Sequence, residues 1–140
     1  MKYFITKNLV YFAVSALLLG ILFRFGKSYA IENQDFTLII FLAVAYFVAM
    51  FVTGWYFGKK DHENLPIYDI GFRFHLFTYV IFFVIAFLWF LLNFNAQQEN
   101  IIAINMTALF WGIFILIHFA FYLWTRRKTI NGLDKKELFE

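Results

Sequence analysis

Two histidines lie in the most apolar half of the chain, and their spacing suggests an interaction between helices. His75 lies at the start of the apolar run Leu76–Leu92, and His118 lies inside the run Ile101–Trp124. Each run is about 20 residues long, enough for a helix to cross a bilayer. Because a short link makes such helices antiparallel, we expect the two histidines within one or two turns of the same depth.

Three kinds of chemistry suit a histidine pair inside a membrane. The first is interhelical hydrogen bonding, with Tyr79, Thr78 or a backbone carbonyl as partner. The second is ligation of a haem or a metal between helices, as four-helix bundles do in their cores. The third is a protonation switch near neutral pH. The sequence favours the first, because phenylalanines crowd both histidines and a macrocycle needs small neighbours.

The composition places the protein in a membrane. Of its 140 residues, 63% are hydrophobic and only 15% are charged, against about 25% charged in soluble domains. The chain has no cysteine, which excludes disulfides and thiolate metal sites. The basic residues cluster near the ends of apolar runs and form no stripe typical of nucleic-acid binding. We therefore expect membrane lipid as a partner and no nucleic acid.

The apolar runs predict one all-α membrane domain over residues 1–140, an up-down bundle of four transmembrane helices. The predicted helices cover about residues 8–25, 36–58, 71–94 and 101–125, and residues 126–140 form a cytoplasmic tail. A signal peptide is the alternative for the first helix, since Ser28-Tyr29-Ala30 resembles a cleavage site. Arg24 and Lys27 precede that site, however, and favour a retained helix in which Arg24 anchors to the interface.

The distribution of basic residues predicts the orientation. Ten basic residues fall on one side of the predicted membrane and only Arg24 and Lys27 on the other. Both termini are therefore predicted to be cytoplasmic. On that side we predict a contact surface formed by the loop Lys59–Gly71 and the tail Arg126–Glu140. Its residues are Lys59, Lys60, Asp61, Arg126, Arg127 and Lys128. Asp61, His62, Glu63 and Asp69 are rich in oxygen ligands but lack the spacing of a metal site, and Asp69 is a predicted N-cap of the third helix.

Small residues four apart predict close helix packing. The motifs are Ala16-x-x-x-Gly20, Ala45-x-x-x-Ala49-x-x-x-Thr53, Gly54-x-x-x-Gly58 and Ala108-x-x-x-Gly112. They occur on three of the four helices and favour a compact bundle that self-associates. The apolar segments hold no carboxylate and no catalytic set, so we expect no enzymatic activity and no cofactor.

The second half of the chain resembles the small bacterial two-transmembrane (2TM) domain over Gly71–Lys136. The resemblance rests on Phe74-His75-Leu76 with Tyr79, on Asn93, on Trp111-Gly112-Ile113 with His118, and on the basic tail. The sequence departs from that domain in two respects. Phe82 and Phe83 lie where an asparagine is usual, and an extra hairpin, Leu9–Phe57, precedes the match. The resemblance implies a membrane module without assigned activity, sometimes fused to signalling domains.

These observations predict a multi-pass protein of a bacterial cytoplasmic membrane that packs with itself or with another membrane protein. Two alternatives remain open at this point. One is a small oligomeric channel or membrane-disrupting effector. The other is a haem- or quinone-binding redox subunit that uses His75 and His118.

Overall fold

The computed structural model describes residues 5–62 and 66–131, with side chains described as far as residue 127. It is all-helical in these ranges, with four helices: α1 (Lys7–Glu32), α2 (Phe36–Asp61), α3 (Ile67–Leu91) and α4 (Ile101–Asn131). Each is long and apolar enough to cross a membrane. The predicted class, an all-α protein with four membrane-spanning helices, is confirmed. The residues of the predicted cytoplasmic tail after Asn131 lie outside the described range.

The helices run alternately up and down, and α3 is the central element. α1 packs on both α2 and α3, whereas α4 packs on α3 alone among the described helices. One core cluster joins the beginnings of α1 and α3 through Leu9, Phe12, Ile70 and Phe74. A second joins α3 to α4 through Phe72, Ile115 and Tyr122.

Two short links at one end of the molecule are built from the same local geometry. α1 ends at Glu32 and α3 at Leu91, and in each case a residue with positive φ follows shortly, Gln34 (φ 55°) and Asn93 (φ 57°). In both links the next amide bonds to a carbonyl five residues earlier, from Asp35 to Ala30 and from Phe94 to Trp89. This Schellman arrangement satisfies the last carbonyls of each helix. It reverses the chain within a few residues.

Three helix boundaries differ from the predicted ones by four residues or more. α1 continues seven residues past residue 25, α3 begins at Ile67, and α4 continues to Asn131. Asp69 is not the N-cap of α3. Pro66 takes that position with φ −68°, which suits the start of a helix. Asp69 lies in the first turn and forms an ion pair with Arg73 instead.

Candidate functional site

The two histidines are in direct contact between α3 and α4. His75 Nδ1 lies 3.1 Å from His118 Nδ1, and the indole N–H of Trp111 donates to His75 Nε2 at 2.9 Å. All three rings are half-buried. The sequence placed the histidines at similar depth. It did not reveal that they bond each other, or that Trp111 is the third member of the chain.

Trp111 fixes the direction of the hydrogen bonds through this cluster. An indole nitrogen only donates, so His75 Nε2 must accept and the proton of a neutral His75 lies on Nδ1. His75 Nδ1 then donates to His118 Nδ1, and the proton of His118 lies on Nε2. The cluster is satisfied with both imidazoles neutral. An extra proton on His75 would place two N–H groups against each other.

This arrangement does not fit a haem held between the two histidines. Iron with two imidazole ligands needs one free nitrogen from each ring, on opposite sides of the porphyrin plane. His75 offers none, because Nε2 accepts from Trp111 and Nδ1 faces His118. The two Nδ1 atoms lie 3.1 Å apart and contact each other, which leaves no room for a metal ion between them. The geometry therefore favours the hydrogen-bonding role for His75 and His118.

Tyr79 and Gly112 extend the same contact by one turn. The Tyr79 hydroxyl donates to the carbonyl of Ala108 on α4 at 3.0 Å. An ideal Cβ built on Gly112 would lie 3.1 Å from that hydroxyl, which is a tight contact for a carbon atom. Thr78, an expected partner of the histidines, bonds within its own helix to Phe74. Glycine at position 112 thus allows the tyrosine to reach the α4 backbone.

At the other end of the helices, Arg24 is buried and not anchored at the interface as predicted. Its residue exposure is 2%, and its guanidinium lies 3.6 Å from Glu99 Oε1. Lys27 Nζ lies 3.0 Å from the same oxygen, and the Glu99 side chain is also only 2% exposed. We call Arg24, Lys27 and Glu99 the charged cluster. It connects α1 to the link between α3 and α4.

Two hydrogen bonds connect this part of α1 to α3. Arg24 Nη2 donates to the carbonyl of Ala86 at 3.3 Å, and Trp89 Nε1 donates to Ser28 Oγ at 3.1 Å. Among the described residues, Arg24 Nε and both carboxylate oxygens of Glu99 are buried without a hydrogen bond of good geometry. Charge attraction at low local dielectric must therefore hold this cluster together.

Aspartates lie buried at the end of the molecule where α1 begins and α2 ends. Asp61 is 5% exposed and accepts hydrogen bonds from Thr6 and Asn8. Asp69 forms a two-point pair with Arg73, at 2.8 Å and 2.6 Å. Like Glu99, these carboxylates lie at helix ends or in a link, and the apolar segments themselves hold none, as expected. No group of three metal-ligating side chains occurs in the described ranges.

Three of the small-residue motifs bring helices of this chain together. Ala16 is buried, and a Cβ on Gly20 would lie 2.6 Å from Ile85 Cδ1 on α3. Gly54 faces Phe12 on α1, and Gly58 faces Ile70 on α3. Gly112 faces Tyr79, as described above. These contacts assign each glycine to an internal helix interface.

The fourth motif faces outward, and we call Ala45, Ala49 and Thr53 the small-residue track. It lines an open groove of about 630 Å³, formed mainly by α2 with Leu19 of α1. Ala45 is exposed, while Ala49 and Thr53 are half-buried. Thr53 satisfies its hydroxyl on its own helix, through Ala49 and Met50. The track therefore makes a smooth surface with no unsatisfied polar group.

Searches of protein families, of curated proteins and of solved structures found no match to this chain. The resemblance of Gly71–Lys136 to the 2TM domain therefore stays a prediction. What can be inferred about function must come from the chain's own geometry. The fold defines the protein as multi-helical with four candidate membrane spans.

Proposed function

We propose that this chain is a non-enzymatic membrane module that associates side by side with a second membrane-spanning chain. The observation that carries the proposal is the outward-facing small-residue track on α2. The other three small-residue motifs pack against neighbouring helices of this chain. This one lines a groove on the surface instead.

The physical argument comes from how helices associate in lipid. Lipid tails are as apolar as leucine, so apolar side chains alone give helices no reason to leave lipid for one another. Close backbone approach at small residues supplies the missing attraction through van der Waals contact. A helix that presents Ala45, Ala49 and Thr53 four residues apart can receive a second helix in this way. A helix of another copy of this chain or of a partner membrane protein would fill the groove.

The charge distribution supports an orientation with both termini in the cytoplasm of a bacterial cell. Lys7, Lys59, Lys60, Arg126 and Arg127 lie at one end of the helices, and we call these five residues the basic end. Arg24 and Lys27 belong to the opposite half, where Glu99 offsets their charge. Uncompensated basic residues thus concentrate at one end, which the positive-inside rule places in the cytoplasm.

A matched set of substitutions on α2 tests the proposal. Ala45→Leu and Ala49→Leu would fill the groove, whereas Ala43→Leu makes the same change at an exposed position outside it. We expect the first two to weaken self-association by roughly tenfold in Kd and the third to leave it unchanged. Energy transfer between labelled copies in liposomes, measured at several protein-to-lipid ratios, reports this association.

Crosslinking in native membranes separates the two kinds of partner. A crosslinked mass of twice the chain indicates self-association, and a larger unrelated mass indicates a different membrane protein. Either product should disappear with Ala49→Leu and persist with Ala43→Leu. A chain that stays monomeric and uncrosslinked in both measurements would contradict the proposal, as would equal effects of all three substitutions.

A further inference from the structure

A second groove lies at the basic end, between the last turns of α2 and the first turns of α3. Its volume is about 330 Å³. Trp55 and Lys59 line it from α2, and Ile67 and Ile70 line it from α3. Gly58 and Gly71 also line it, and neither adds side-chain volume to the space between the two helices. The groove is apolar along its length, and Lys59 and His62 from α2 are the two basic residues in its lining.

The acidic residues that the structure describes near this groove are already engaged. Asp61 accepts from Thr6 and Asn8, and Asp69 is paired with Arg73. Lys60 donates to the Tyr56 hydroxyl. Lys59, by contrast, is exposed and makes no ion pair in the part of the chain that the structure describes. Within the described residues, the groove therefore presents a positive charge without an ion-pair partner.

The position of the groove selects the kind of anion that fits it. No residue in the most apolar segment of α2 is fully buried, so in a bilayer hydrocarbon chains contact the side of this helix that α1 leaves open. Trp55 is 66% exposed and Ile67 is 70% exposed, and tryptophan prefers the boundary between hydrocarbon and headgroups. A soluble anion would gain no binding free energy from these apolar walls. A phospholipid would gain binding free energy from both the charge and the apolar walls. Its phosphate would lie near Lys59, and an acyl chain would lie along Trp55, Ile67 and Ile70.

We propose that this groove is a binding site for an anionic phospholipid. The site is separate from the small-residue track, which lies in the middle of α2. Lipid binding and lateral association can therefore fail independently.

Native mass spectrometry of the full chain tests the proposal with defined lipids. The purified protein is exchanged into micelles containing dioleoyl phosphatidylglycerol or dioleoyl phosphatidylcholine, and the retained lipids are counted. We expect wild type to retain phosphatidylglycerol preferentially. Lys59→Gln should weaken that retention by about fivefold, the effect of one basic residue at a membrane surface. Lys60→Gln removes a neighbouring charge outside the groove and should have a much smaller effect.

Fluorescence quenching locates the bound lipid. Brominated phosphatidylglycerol quenches tryptophans that it contacts, and Trp55 lines the groove. Quenching should exceed that by brominated phosphatidylcholine in wild type, and the difference should vanish in Trp55→Phe. Equal retention of the two lipids by wild type would overturn the proposal. Equal losses in Lys59→Gln and Lys60→Gln, or an unchanged quenching difference in Trp55→Phe, would overturn it as well.

Discussion

Glu99 is predicted to be the charged side chain on which the fold depends most. The change Glu99→Gln keeps the size of the side chain and removes its negative charge. Arg24 would then remain buried at 2% exposure, beside a second cation, Lys27. Its hydrogen bond to the Ala86 carbonyl would persist. That bond cannot replace a counter-charge, because a carbonyl offsets only part of the cost of burying a guanidinium.

The size of the effect follows from the geometry of the charged cluster. Breaking a buried ion pair costs 3–5 kcal/mol when one charge is left behind. The Arg24–Glu99 separation of 3.6 Å exceeds that of a charge-assisted hydrogen bond, about 2.7–2.9 Å. We therefore take the lower limit, a loss of about 3 kcal/mol. Lys27→Gln should cost about 1 kcal/mol or less, since its side chain is 27% exposed and reaches solvent.

Reversible unfolding in mixed detergent micelles, titrated with SDS, measures these differences. Glu32→Gln is the matched control, since Glu32 is exposed at the end of the same helix as Arg24, and it should change stability by less than about 0.5 kcal/mol. The double change Arg24→Met with Glu99→Met removes both charges, and it should lose less stability than Glu99→Gln alone. The reasoning fails if Glu99→Gln behaves like Glu32→Gln, or if the double variant is the least stable.

Two further predictions concern the contact between α3 and α4. His75→Ala and His118→Ala should each lower stability by about 1 kcal/mol. The double variant should lose less than the sum of the two, because each single change already breaks the hydrogen bond between the histidines. Unchanged stability in both single variants would contradict the packing role. Gly112→Ala should lower stability by about 1 kcal/mol, because the new methyl group crowds the Tyr79 hydroxyl. Gly54→Ala should leave stability unchanged, because its Cβ would lie 3.7 Å from the nearest atom. Equal losses in the same SDS titration would refute this account of Gly112.

The sequence predicted the four helices well because long apolar runs have few alternatives. It predicted the end of α1 wrongly, because Arg24 and Lys27 were read as the membrane boundary. Glu32, Asp35 and Glu99 are all candidate partners of Arg24 on that side, and the sequence does not show that Glu99, 75 residues away, is the one that neutralises it. Ser28 and Ala30 resemble a cleavage site because they are two small residues, one position apart, after an apolar run. In the structure both are buried against neighbouring helices, Ala30 completely.

The histidine cluster was predicted in part. Antiparallel helices joined by a short link bring His75 and His118 to similar depth, and that much follows from counting residues. Which faces of α3 and α4 meet depends on the rotation of each helix. That rotation is set by contacts such as the approach of Tyr79 to Gly112, which sequence periodicity does not show on helices apolar all round. Trp111, one residue before Gly112, was the available signal, since a buried indole nitrogen needs an acceptor.

Cysteine labelling tests the central claim most directly, because the chain has no cysteine of its own. Single cysteines at Lys60 and Arg127 report one end of the helices, and single cysteines at Gln34 and Gln98 report the two links at the other end; all four positions are exposed. With a membrane-impermeant maleimide, we expect Gln34→Cys and Gln98→Cys to react in intact cells. Lys60→Cys and Arg127→Cys should react only after the membrane is opened. Labelling of Lys60→Cys and Arg127→Cys on opposite sides would contradict the four-span account.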